Sequence, residues 1–144
     1  MIGSYPSEVV RTVAALVTPF IMLFGLYVTT HGHYGPGGGF AGGVLLAVGP
    51  VLLRLTYAPA ATHRVFPSTA VLMVALAGFG VFVLIGLVPV AAGGAFLDYA
   101  AVPVSEMAAS KLRSYGSLIV EIAVGLAVFG TILSIFDAIT GDQP

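Results

Sequence analysis

The sequence predicts an all-α integral membrane protein, a bundle of four transmembrane helices in a single domain spanning residues 1–144. Three observations predict it. Hydrophobic residues make up 58% of the chain and charged residues only 8%, against about 25% charged in an ordinary globular protein. The few charges bracket long uncharged gaps, from Arg11 to Arg54 and from Arg64 to Asp98. The apolar runs are continuous, as in Val71–Val90, whereas a membrane β-barrel would alternate in segments of about ten residues.

A 144-residue chain with a mean hydropathy of +1.08 cannot hide so much apolar surface inside itself. Lipid or partner subunits must cover the rest. This argues against a soluble enzyme, a disordered chain and, with no cysteine, a disulfide-rich secreted fold. The absence of cysteine also removes thiolate chemistry, Fe–S ligation and cysteine zinc sites. A net charge of −1 offers no basic field to nucleic acid.

A helix needs about 20 apolar residues to cross the hydrocarbon core. The gaps place spans at about 10–30, 39–58, 68–90 and 117–138. The first is too long, and has too few preceding positive charges, for a signal peptide, so it is read as a retained helix. Pro19 in the first span and Pro50 in the second are read as helix kinks. In water each would cost about 3 kcal/mol in a helix interior; in a membrane, neighbouring helices can satisfy the freed carbonyl. Arg54 closes the second span, with a stem long enough to snorkel to the interface. A loop over 59–67 leads to the third span.

A connection of about 25 residues follows, holding Asp98, Glu106, Lys111 and Arg113, with a short surface helix possible over Ser105–Lys111. The fourth span carries Glu121 about one turn inside it. Asp137 and Asp142 at its end are read as solvated. Ala123, Ala127, Gly130 and Ser134 form a stripe of small residues there, and Ala75, Gly78 and Gly86 a similar one on the third span. Such stripes permit tight helix contact in lipid, within the chain or with another. Arg11, Arg54 and Arg64 against Lys111 and Arg113 bias both termini weakly toward the cytoplasm.

The most informative stretch is His31-Gly32-His33-Tyr34-Gly35-Pro36-Gly37-Gly38-Gly39-Phe40-Ala41-Gly42-Gly43, with seven glycines in thirteen residues. It can turn the chain tightly at the membrane face. Gly39, Gly42 and Gly43 would then let the second span lie close against another helix. The Gly-Lys-Ser/Thr ending of a phosphate-binding loop is absent. His31 and His33 are half a metal site, and His63 is expected on the opposite face, so no metal is assigned. The histidines leave two readings open, capping imidazoles or proton handling.

Gly32-His33-Tyr34-Gly35-Pro36-Gly37-Gly38-Gly39-Phe40 followed by Gly42-Gly43 resembles the Gly-His-x-x-Pro-Gly-Gly-Gly-Phe-x-Gly-Gly signature of the B subunits of Mrp-type (Mnh, Pha) multi-subunit Na+/H+ antiporters. Thr18-Pro19 in the first span and Glu121-Ile122-Ala123-Val124-Gly125 in the fourth are similar to further patterns of that family. Tyr34 stands where the family often has Asn, and Glu121 where it often has Asp.

The resemblance implies an accessory membrane subunit of a cation/proton antiporter, required for assembly, in the plasma membrane of a prokaryote. Its partners would be the other membrane subunits and the bilayer, with Na+ and H+ as the transported ions. The alternative setting is the membrane arm of a redox-driven ion pump such as a membrane-bound hydrogenase. A small multidrug exporter is disfavoured, since that class is similar to a chain with a Glu in its first helix, and a purely structural scaffold stays open.

No catalytic constellation is visible, so no enzyme activity and no cofactor are expected. Glu121 is the only acid inside a predicted span rather than at its end. Intramembrane carboxyls are functional by default. Glu121 and His33 are therefore the ion-relay candidates. Gly32, Pro36, Gly37, Gly38, Gly39, Phe40, Gly42 and Gly43 are the structural turn.

Overall fold

The computed structural model describes residues 7–32, 38–102 and 109–141. Five α-helices follow in order: α1 (Glu8–His31), α2 (Gly38–Thr56), α3 (Pro59–Val65), α4 (Ser68–Ala91) and α5 (Ala109–Thr140), with a 3₁₀ turn at Tyr99–Ala101. No strand occurs among the described residues. Helices α1, α2, α4 and α5 are long and apolar enough to cross a membrane, and the chain is a multi-pass, all-α membrane protein.

Two boundaries differ from the sequence expectation. The 59–67 connection contains α3, which starts with Pro59 in its first turn. Proline suits that position, because its fixed φ is helical and the missing N–H has no intrahelical acceptor there. Helix α5 begins at Ala109, so Lys111 and Arg113 lie in its opening turns and not in a loop. Its 32 residues span about 48 Å at about 1.5 Å per residue, well beyond a hydrocarbon core of about 30 Å. The exposed Lys111 and Arg113 can therefore stand clear of the lipid tails. Of the suggested Ser105–Lys111 helix, Ala109–Lys111 belongs to α5 and the remainder lies outside the described residues.

Helices α2 and α5 form the centre. Helix α1 packs along α2, and α4 packs along α5. Small residues make both contacts close. A Cβ added to Gly42 of α2 would stand 2.7 Å from the Thr29 nitrogen and 2.8 Å from the Gly25 carbonyl of α1. A Cβ on Gly78 of α4 would stand 2.6 Å from the Ala123 carbonyl and the Ala127 nitrogen of α5. Gly130 meets the Val71 carbonyl in the same way, at 2.6 Å. The stripes read from the sequence on these two helices thus pack against each other within the chain. Only Gly86 departs: it is covered by the Phe96 ring.

Pro19 and Pro50 sit inside continuous helices at one level of the α1/α2 contact. The buried Thr18 hydroxyl donates to the Ala14 carbonyl at 2.8 Å and to the Gly49 carbonyl of α2 at 3.4 Å. Pro89 lies inside α4 as well, fully buried like Pro50. Beyond it, Gly93 with φ of +87° ends the helix, as glycine commonly does just past a helix terminus. The chain then folds back. The Leu97 N–H donates to the Gly86 carbonyl at 3.3 Å, and Phe96 meets Phe82 edge-on at 5.9 Å. The Tyr99 ring covers Gly116 of α5, and burial raises its hydroxyl above the ordinary phenol value.

The interior is small. Ala47, Val71 and Leu133 form its buried cluster, backed by Val51, Phe66, Phe129 and Ile132. Large apolar side chains such as Leu16, Phe20, Leu23, Leu76, Phe79 and Leu84 face outward.

Candidate functional site

The end of α1 and the start of α2 meet α5 at Glu121. Gly32 and Gly38 lie backbone against backbone, so a Cβ on either would overlap the other. A Cβ on Gly32 would stand 3.1 Å from Glu121 Oε2, and one on Gly39 would stand 2.5 Å from the Glu121 carbonyl. One turn further, Gly43 of α2 approaches the Gly125 carbonyl, a Cβ there standing at 2.6 Å. A Cβ on Gly125 would in turn stand 3.1 Å from the Thr29 methyl of α1. Gly125 is thus covered within the chain, by α1 and α2.

Only residues without side chains allow this approach, and the half-buried Glu121 carboxyl sits in the notch they leave. The N-terminal turn of α2 lies beside it. Backbone N–H groups there lack intrahelical acceptors, and the helix dipole favours negative charge. The arrangement can hold a carboxyl, charged or protonated, at the edge of the apolar region.

Of the predicted corner, Gly38, Gly39, Phe40, Gly42 and Gly43 are helical residues of α2. Phe40 is 63% exposed and takes no part in the packed notch. His33, Pro36 and Gly37 lie outside the described residues. His31 closes α1: its Nδ1 is 3.1 Å from the Tyr27 carbonyl and its ring stacks on Tyr27 at 4.2 Å. Among the described residues, no three His, Asp or Glu side chains are grouped to hold a metal.

The opposite end of the bundle carries a feature that the sequence reading missed. Arg54 was expected to snorkel and Asp137 to be solvated; both are instead buried, at 6% and 3% exposure, and form an ion pair between α2 and α5. Arg54 also donates to the Leu133 carbonyl at 3.4 Å and to the Phe66 carbonyl at 3.0 Å. The Ser68 hydroxyl donates to the second Asp137 oxygen at 3.0 Å and lies 3.2 Å from His63 Nδ1. Burial of either charge alone would be costly. Pairing and added hydrogen bonds make it tolerable. Beside this cluster, the Tyr57 hydroxyl donates to the Arg11 carbonyl at 3.1 Å, and the Arg11 guanidinium lies over the Tyr57 ring.

Four apolar helices, a glycine-lined carboxyl at one end of the α2/α5 contact and a buried ion pair at the other define a multi-pass, all-α membrane protein. Residues 9–134 match the family described as "Domain related to MnhB subunit of Na+/H+ antiporter", and the chain belongs to that family. It is 30% identical to a putative antiporter subunit mnhB2 of Staphylococcus haemolyticus over 137 residues, 94% of this chain and 95% of the relative. It is also 30% identical to the B subunit of a Na(+)/H(+) antiporter of Bacillus subtilis over 131 residues, covering 86% and 91% of the two chains. A putative mnhB2 subunit of Staphylococcus aureus is 43% identical over 49 residues, about a third of each chain (34% and 35%).

Proposed function

We propose that this chain is an accessory membrane subunit of a multi-subunit Na+/H+ antiporter in a prokaryotic plasma membrane. It is a single four-span domain that acts with other membrane subunits and not as an enzyme. The observation that carries the reading is the family match over residues 9–134, which takes in all or most of each of the four spanning helices. The outward apolar side chains of α1 and α4 agree with it, since a subunit inside a larger assembly offers such faces to lipid and neighbours. Glu121 is the ion-relay candidate within this role. The glycine corner supports it by bringing α1 and α2 against the carboxyl. A redox-driven pump is not favoured, because the relatives are named as antiporter subunits.

Purification of the tagged chain in mild detergent, with mass identification of its companions, tests the reading. The expected companions are other antiporter subunits. Recovery with hydrogenase or Fe–S subunits would overturn it.

A further inference from the structure

Helices α2 and α5 run parallel, with the start of α2 beside Glu121, twelve residues into α5. They touch at two polar extremes. At the start Gly39 lies on Glu121, and at the far end Arg54 pairs with Asp137. Fifteen residues separate Gly39 from Arg54, and sixteen separate Glu121 from Asp137. At about 1.5 Å per residue these intervals are about 22 and 24 Å. The two rungs therefore belong to one register. Between them the contact is made by Gly43, Gly125, Ala47 and Leu133, which offer few directional features.

The glycine contacts hold the register at the near end, because Cβ-bearing residues do not fit there, and the far end depends on Arg54 and Asp137. The ion pair resists sliding, because it is directional and cannot be remade one residue away without stranding a charge in the interior. Arg54 is held in turn by the Leu133 and Phe66 carbonyls, which tie α5 and the α3–α4 corner to the same point.

We infer that Arg54 and Asp137 are positioning residues, a register lock that seats Glu121 in the Gly32/Gly38/Gly39 notch at the opposite end of the α2/α5 contact. The consequence for ion exchange rests on the reading of Glu121 given above; the lock itself does not.

The test measures position directly. Phe40→Cys and Ile122→Cys place spin labels beside Gly39 and Glu121, on exposed residues of α2 and α5. The parent chain has no cysteine. The distance distribution is read by pulsed electron paramagnetic resonance in the complex co-purified with its partner subunits.

Arg54→Met/Asp137→Leu removes both charges while keeping bulk, so no unpaired charge remains. It should at least double the width of the distribution or move its mean by one helical rise, and lower Na+-dependent proton exchange at least threefold. Ser68→Ala keeps the ion pair and should leave the distribution unchanged. An unchanged distribution in the assembled double variant overturns the lock, as does an equal disturbance from Ser68→Ala. If the apolar double variant is not recovered, Arg54→Gln/Asp137→Asn serves instead, with the same expected widening and the same overturning result. A displaced notch with full exchange would keep the lock and defeat the relay reading of Glu121.

Discussion

Two residues at the glycine corner show how local chemistry sets what the site tolerates. Gly38 abuts the Gly32 backbone, and Gly42 abuts the backbone of Thr29 and Gly25. These neighbours are main chain, which cannot rotate away as a side-chain tip can. Gly38→Ala and Gly42→Val should therefore each push α1 off α2 and lower the yield of assembled complex severalfold, measured by co-purification. Gly80, whose added Cβ meets nothing within 4 Å, is the control: Gly80→Ala should assemble normally. Glu121 is tested differently. If it relays ions, Glu121→Gln should lower exchange about tenfold or more in intact complex, the scale of a lost proton-transfer group, while Glu121→Asp should largely preserve it. Normal exchange across pH for the Gln variant would leave the carboxyl a packing role only.

At the scale of elements, the ion pair between α2 and α5 has the largest expected effect. Asp137→Asn leaves the Arg54 charge buried without its counter-ion, and breaking such a pair costs about 3–5 kcal/mol. Ser68→Ala removes one neutral donor from Asp137 and should cost about 1 kcal/mol. The thermal midpoint in detergent should fall far more for the first than for the second; equal shifts would show that the pair contributes little.

The four spans were legible in the sequence because apolar continuity and sparse charge report directly on lipid exposure. The pair was not, because Arg54 and Asp137 lie 83 residues apart and each, taken alone, reads as a polar residue at a span end. One signal did exist. An even number of spans puts both on the same face, where the only other acids near span ends in the sequence are Glu8 and Asp142. The early start of α5 was hidden by Lys111 and Arg113, which read as loop charges until the helix proves longer than the bilayer. The small-residue stripes and the approach to Glu121 were legible as capacity for contact, but which helix fills a stripe depends on tertiary arrangement.

For the whole molecule, the distribution of burial decides how it can exist. The most apolar windows of α1 and α4 are only 17% and 22% buried within the chain, against 44% for α2. In lipid this is no liability in itself, since hydrocarbon solvates leucine and phenylalanine well. Ion exchange, however, needs a hydrated path. Glu121 lies near one face, while Asp137 at the other is committed to Arg54. Over the roughly 24 Å between them, α2 and α5 carry no titratable side chain, and they meet through Gly43, Gly125, Ala47 and Leu133. Under the proposed accessory role, a continuous path would draw groups from other subunits. The purified chain alone in liposomes should show no Na+-dependent proton flux above protein-free vesicles, and flux should appear when the partner subunits are co-reconstituted. Flux from the single chain that vanished with Glu121→Gln would place a complete path within these four helices and refute the accessory role.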